Sequence, residues 1–295
     1  MAKPHSIFLM LTTDCDKRAE CGYCFYNLQP EWAAPSRMDT KAILNLFKQL
    51  KLWDIPNVYL TGGEPLLRED LEEIIAGASD LRLNTFLLSN GRALDSKRVE
   101  RLEAAGLDVF VMSLNDLEIV DRKTIAVVSR FKRTRLSFIY VLTKNNIGWI
   151  QDITDLARAL GAGLVFQPAY IPEKHKLRQQ LSLAGLGPFD WSKLYTELRP
   201  WASDLGYERY LEMIHDVYHE GKLRPKFCAM GSGAVVIDAD GAVYPCFHRR
   251  ELECGNILRD ELAEVLDRSA AHSAVLSDAR CFGEHCVSLH TGYGK

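Results

Sequence analysis

Short apolar runs alternate with stretches of helical periodicity over the first half of the chain. The runs fall at Ile7–Leu11, Val58–Thr61, Thr85–Ser89, Val109–Leu114, Leu136–Leu142 and Leu164–Gln167, each of a length suited to a strand buried on both faces. Between them apolar residues return every three or four positions, as at Ile43, Leu44, Phe47 and Leu50 and again at Ile153, Leu156, Ala157 and Leu160. Asp39, Asp95 and Asn146 stand where helix N-caps are expected, because a short polar side chain can accept from the free N–H groups of a first turn. This βα rhythm predicts an α/β protein with a parallel sheet, right-handed crossovers and chemistry at the C-terminal ends of the strands.

From Ile171 to Lys226 the pattern becomes helical and aromatic, with Trp191, Tyr195, Trp201, Tyr207, Tyr210 and Tyr218. Helices packed on the sheet are the plain expectation; an aromatic wall facing a substrate is the alternative. Beyond Cys228, the runs Ala234–Ile237 and Ala242–Tyr244 flank Asp240-Gly241, a hairpin signal. The expected division is therefore an open barrel or a doubly wound sheet over 1–170, a helical bridge over 171–227 and a small α+β domain over 228–295.

Composition narrows the class. With 47% hydrophobic and 25% charged residues the chain reads as an ordinary folded protein. Its 36 basic and 39 acidic residues form no basic stripe, so nucleic acid is not an expected partner. The apolar run at the N-terminus is too short for a signal segment or a membrane span, and the expected setting is cytoplasmic, away from membranes. In a reducing compartment the eight cysteines read as metal-binding or catalytic rather than as disulfides. They form two groups, at 15, 21 and 24 and at 228, 246, 254, 281 and 286.

Cys15, Cys21 and Cys24 form C-x5-C-x2-C directly after the first strand. Thiolates so close together suit an iron-sulfur cluster with one iron left open, or a zinc site completed by a distant Cys or His. With Tyr23 before the last Cys and Phe25-Tyr26 after it, the loop resembles the signature of the radical S-adenosylmethionine (SAM) superfamily, whose first gap is usually shorter. The resemblance extends to Thr61-Gly62-Gly63-Glu64-Pro65 after the second strand. It implies a partial (β/α)6 TIM-like barrel and a [4Fe-4S] cluster on Cys15, Cys21 and Cys24. It further implies reductive cleavage of SAM to a 5′-deoxyadenosyl radical that abstracts a substrate hydrogen, with the electron coming from a flavodoxin- or ferredoxin-like donor. Gly62, Gly63, Glu64, Ser89, Ser113, Asn115 and Gln167 are the implied SAM contacts, with Tyr23 toward the adenine. Read without the resemblance, Gly62-Gly63-Glu64-Pro65 is a turn with a capping acid, and Ser89-Asn90-Gly91 a turn as well.

Cys228 and Cys246 enclose the hairpin, with Gly241 at its turn and Gly255-Asn256-Ile257 beyond. This resembles the SPASM and twitch domains that follow many radical SAM barrels; a zinc ribbon or buried free thiols are the alternatives. The resemblance implies one auxiliary [4Fe-4S] cluster, with Cys228, Cys246, Cys281 and Cys286 as ligands. Cys254 is then spare: a core thiol, a substitute ligand or a hydrogen-atom donor. His248 and His285 flank the cysteines as neighbours rather than ligands. The expected function is oxidation of a small polar substrate of sugar, nucleoside or aminocyclitol type. The lack of a winged-helix element ahead of the first strand tilts the expectation that way. A peptide maturase or epimerase in natural-product biosynthesis is the alternative among enzymes, and a non-catalytic iron-sulfur or zinc scaffold the alternative outside them. Oligomeric state is not legible.

Overall fold

The computed structural model describes residues 3–34, 36–114, 122–172, 174–222, 226–277, 281 and 291–293. Six strands follow the expected rhythm: β1 (Ser6–Met10), β2 (Asn57–Thr61), β3 (Asn84–Ser89), β4 (Val109–Leu114), β5 (Arg135–Leu142) and β6 (Gly163–Pro168). Helix α1 (Phe25–Leu28) closes the first cysteine loop, and α2 (Thr40–Leu52), α3 (Leu71–Asp80), α4 (Ser96–Ala104), α5 (Arg122–Val128) and α6 (Ile150–Ala159) connect the strands. Next come α7 (Arg178–Leu181), α8 (Pro188–Leu205) and α9 (Glu208–Tyr218). The C-terminal part holds β7 (Lys226–Cys228), β8 (Ala234–Ile237), β9 (Ala242–Tyr244), β10 (Gly255–Asn256), α10 (Leu262–Ala271), α11 (Ser273–Ser277) and β11 (Thr291–Tyr293). Among the described residues, none of the helices is long and apolar enough to cross a membrane.

Nine strands form one open sheet in the order β10-β9-β8-β1-β2-β3-β4-β5-β6, with β1 to β6 parallel throughout. Side chains alternate across it. Ile7, Leu9, Val58, Leu60, Leu87, Phe110, Met112, Phe138, Tyr140 and Phe166 face the helices and join Ile43, Phe47, Leu50 and Ile74 in the main core. Each such burial contributes about 2 kcal/mol, against about 1 kcal/mol for a cap, so the core holds the helices while caps set their ends. Asp39 caps α2 by accepting from the Ala42 N–H at 2.7 Å, and Asp95 caps α4 by accepting from Arg98 at 2.6 Å. Asn146 does not cap: its amide accepts from Thr143 and donates to Val141 O, which closes the β5 exit loop instead.

The aromatic segment finishes the edge of the sheet. On β6 the carbonyls of Leu164 and Phe166 accept from Trp201 Nε1 and the Tyr210 hydroxyl, each at 3.1 Å. An exposed strand edge is thus satisfied by side chains of α8 and α9. These two residues belong to packing, not to a wall facing a substrate.

At the other end β8 pairs in parallel with β1, from Ser6↔Ala234 to Leu9↔Ile237. The hairpin β8–β9 therefore extends the barrel sheet, and the boundary expected near 228 divides the sequence without dividing the sheet. The two paired strands are both buried at every position, as central strands of a parallel sheet are.

Candidate iron-sulfur and SAM site

The loop that carries Cys15, Cys21 and Cys24 is fastened at its root by a continuation of the β1–β2 ladder. Leu11 N–H donates to Thr61 O, Gly63 N–H to Thr12 O and Glu64 N–H to Asp14 O, all at 2.7 Å. Gly62 and Gly63 are required by this approach. A Cβ on either would press into the backbone carbonyl of Thr12 or Asp14, and Gly62 has φ +136°. The room these glycines make is for the cysteine loop itself.

The long gap between Cys15 and Cys21 contains a 3-10 turn, Arg18–Glu20. The end of β3 pins it. Asn90 donates to Asp16 at 2.9 Å, and Arg92 holds both Glu20 oxygens at 2.6 and 2.8 Å. Asn27 on α1 donates to Arg18 O and Cys21 O at 2.6 and 2.9 Å, tying the gap to the helix that follows Cys24. Within the loop, burial pushes the Cys15 thiol up and the Cys21 thiol to about 11, and negative charge on Cys24 raises both further. The buried Cys15 and Cys21 thiols resist ionisation on their own, and a cationic iron-sulfur core would stabilise them as thiolates.

Glu64 is fully buried. One oxygen accepts from Leu66 N–H at 2.9 Å and from the Ser89 hydroxyl at 2.7 Å, and the other from Asn90 N–H at 2.8 Å. Burial raises its pKa in spite of these donors. Ser89 also accepts from Gly91 N–H at 2.9 Å, so its hydroxyl fixes Glu64 and the β3 turn. Beneath them lies Arg68, which sequence reasoning missed because arginine reads as a surface residue. It is 2% exposed and donates to Leu11 O, to Met38 O and to both oxygens of Asp70.

The face of the sheet opposite the helices is lined by Phe8, Tyr59 and Phe86, stacked at centroid distances of 4.6 and 4.4 Å. By strand alternation Ser113 and Gln167 fall on this face too, half-buried, while Ser89 shares the face of Leu87. The Gln167 amide donates to Pro168 O at 3.1 Å and faces the Tyr210 hydroxyl at 3.4 Å. Tyr23 packs with Leu28, Ala169 and Ile171 at the exit of β6. Asn115 lies outside the described residues.

The second cysteine group meets this same face. Cys228 and Cys246 are buried with Phe8, Met10, Tyr26, Met230 and Val236, and Cys24, Phe25, Phe247 and Cys281 pack against that cluster. Phe247 bridges the groups, its ring 5.1 Å from Phe8 and 6.3 Å from Phe25. Arg249 donates to Cys281 Sγ and His248 N–H to Cys246 Sγ, each at 3.5 Å. Arg250 pairs with Asp238 and stacks on Tyr244 at 4.5 Å. The His248 ring lies 4.0 Å from Tyr170, and burial, then the Arg250 charge, takes its pKa down to about 4, so it is neutral at pH 7. Cys254 is elsewhere: 1% exposed, it sits in the main core with Leu262, Val265 and Leu266, and burial raises its thiol to about 11. Cys286 and His285 lie outside the described residues.

The family pattern of the radical SAM superfamily matches residues 9–156. The chain belongs to the radical SAM superfamily. Residues 228–286 match the SPASM iron-sulfur cluster-binding domain. A PqqA peptide cyclase of Gluconobacter oxydans is 27% identical over 264 residues, covering 84% of this chain and 71% of the relative. Another, from Xanthomonas oryzae pv. oryzae, is 24% identical over 297 residues, covering 91% and 75%. Among solved structures, SuiB of Streptococcus suis bound to precursor peptide SuiA superposes with a TM-score of 0.71 at 16% identity, covering 97% of this chain and 72% of that one. BtrN in complex with AdoMet and 2-DOIA gives 0.58 at 16% identity, covering 98% and 95%. Both share the fold. This radical SAM enzyme accordingly uses SAM and a [4Fe-4S] cluster, with auxiliary iron-sulfur binding in its SPASM domain.

Proposed function

We propose that the chain modifies a peptide, closing a ring or cross-link within it by net removal of two hydrogens. The likeness to PqqA peptide cyclases over most of the chain carries this reading, and it moves the substrate away from the sugar, nucleoside or aminocyclitol class expected from sequence. When bound, the cluster and SAM supply a radical able to take a hydrogen atom from unactivated carbon. Cys15, Cys21 and Cys24 are the proposed ligands of that cluster, and Cys228, Cys246, Cys281 and Cys286 those of one auxiliary cluster. The backbone at Gly62-Gly63, with Glu64, Ser113, Asn115, Gln167 and Tyr23, would bound the SAM pocket, while Ser89 orients Glu64. The stacked Phe8, Tyr59 and Phe86 would keep water from the reacting carbon. Electrons would come from a flavodoxin- or ferredoxin-like protein in the cytoplasm. Cys254, packed in the main core apart from Cys228, Cys246 and Cys281, fits oxidation better than a hydrogen-returning epimerisation.

The test uses anaerobically reconstituted protein with SAM, reductant and peptides encoded beside its gene, with PqqA as a surrogate. A peptide that accelerates 5′-deoxyadenosine release and emerges two hydrogens lighter is the expected result. Acceleration by a small polyol, with no peptide changed, would restore the small-substrate reading.

A further inference from the structure

We propose that the C-terminal turn of α9 is a binding site for one zinc ion, formed by His215, His219 and Glu220 and independent of the cysteines. His215 in the last turn of α9 and His219 at its C-cap are four residues apart, the His219 N–H donating to His215 O at 2.9 Å, and so share a face, with ring centroids 4.9 Å apart. Glu220 follows the helix, and its Oε1 lies 3.8 Å from His219 Nε2. The three donor atoms all lie within 4.8 Å of one another. Zinc bonds of about 2.0–2.1 Å in a tetrahedron put donors roughly 3.4 Å apart, so rotation of the partly exposed His219 and Glu220 side chains closes the site.

Three further features favour a cation here. The rings are backed by α8: Trp191 lies 5.2 Å from His219 and 6.2 Å from His215, and Tyr195 lies 5.4 Å from His215. Rings ordered in advance lose less freedom on binding. The end of α9 carries the negative pole of the helix dipole. The Glu220 carboxylate already holds a cation, the Lys222 ammonium 3.1 Å away, which would yield to a divalent ion. Two imidazoles and one carboxylate are a borderline donor set that suits zinc, with water as the fourth ligand. The ion would fasten the end of α9, the helix that packs on β11 and precedes β7 and Cys228 in the chain.

The experiment uses protein with its iron-sulfur clusters in place, mixed anaerobically with excess zinc chloride, gel-filtered and analysed for zinc and iron. Wild type should keep one more zinc per chain than the His215→Ala/His219→Ala double variant at equal iron, and Glu220→Gln should keep less than wild type. Zinc should raise the melting temperature of wild type alone. Equal zinc in wild type and double variant overturns the site. If the double variant loses iron through misfolding, the single His219→Ala variant, altered at a partly exposed ring, is read by the same two criteria.

Discussion

The first cysteine group rides on one loop whose root is bonded, residue by residue, to the end of β2. The second is gathered from the end of β7, the exit of the hairpin and residue 281, and reaches the first only because β8 lies against β1. Cys24 of the first group and Cys228, Cys246 and Cys281 of the second meet on one face of the sheet, around Phe8, Met10 and Phe247. The contrast separates two ways of building a site. One depends on local backbone contacts and tolerates little change at its root. The other depends on a long-range strand pairing, so it needs β1 folded but not the loop beyond it.

The largest effect that could break this comparison comes from removing the first group. Cys15→Ala, Cys21→Ala and Cys24→Ala together should abolish SAM cleavage and reduce iron from about eight to about four atoms per chain, since each [4Fe-4S] cluster holds four. The far-ultraviolet spectrum and the auxiliary cluster's electron paramagnetic signal should persist. Iron falling to zero would show that the second group depends on the first after all.

Next comes the root of the loop. Gly63→Ala drives a methyl group into the Asp14 carbonyl, and the obstacle is backbone, which cannot rotate away. We expect a loss of about 3 kcal/mol, the upper end of the usual cost of overpacking because the obstacle is backbone, and loss of first-cluster iron ahead of auxiliary iron. Urea melts and iron analysis would show it; a stable variant with full iron would mean that the loop is not held by this contact.

Asp70 sharpens the same comparison from beneath. Its carboxylate balances buried Arg68, which supports Leu11 and Met38, and the Arg68 hydrogen bonds, chiefly, hold the Asp70 pKa far below the usual carboxylate range. Asp70→Asn leaves that guanidinium without its counter-charge, at a cost of about 3 kcal/mol at pH 7. A depressed folded pKa stabilises the fold above the unfolded value of about 3.9 and loses that contribution as pH falls below it. The gap between wild type and variant in urea midpoint should therefore be full at pH 7 and shrink below about pH 4. A gap independent of pH would assign the effect to shape alone.

These elements differ in how far sequence exposed them. The six strands, the Asp39 and Asp95 caps and the Asp240-Gly241 hairpin were legible because each rests on a local pattern. So was the first cysteine loop. The β1–β8 pairing was not, although the unbroken apolar runs at both strands were its trace; period-two alternation says nothing about which strand lies beside which. Arg68 and the Asp16–Asn90 and Glu20–Arg92 links were illegible because charged residues carry no sign of burial or partner in the sequence. Ser89 shows a subtler limit. Its place at a strand end suggested a SAM contact, but nothing in the sequence showed that its hydroxyl donates to Glu64 and accepts from Gly91 N–H.

The smallest expected effect decides where the spare cysteine belongs. Cys254 shares the main core with Val265 and Leu266, its N–H bonds Val243 O at 2.8 Å, and its thiol donates to Leu252 O at 3.3 Å. The other described cysteines of the C-terminal group pack in a different cluster, on the opposite face of the sheet. A ligand would have to leave that core; a packing thiol only has to fill it. Cys254→Ala should therefore cost about 1–2 kcal/mol, as loss of a small buried side chain does, while iron and the yield of oxidised product stay at wild-type levels. Iron analysis beside turnover in deuterium oxide would separate the roles. Loss of about four iron atoms would make Cys254 a ligand, and solvent deuterium on the product carbon that disappears in the variant would make it a hydrogen donor.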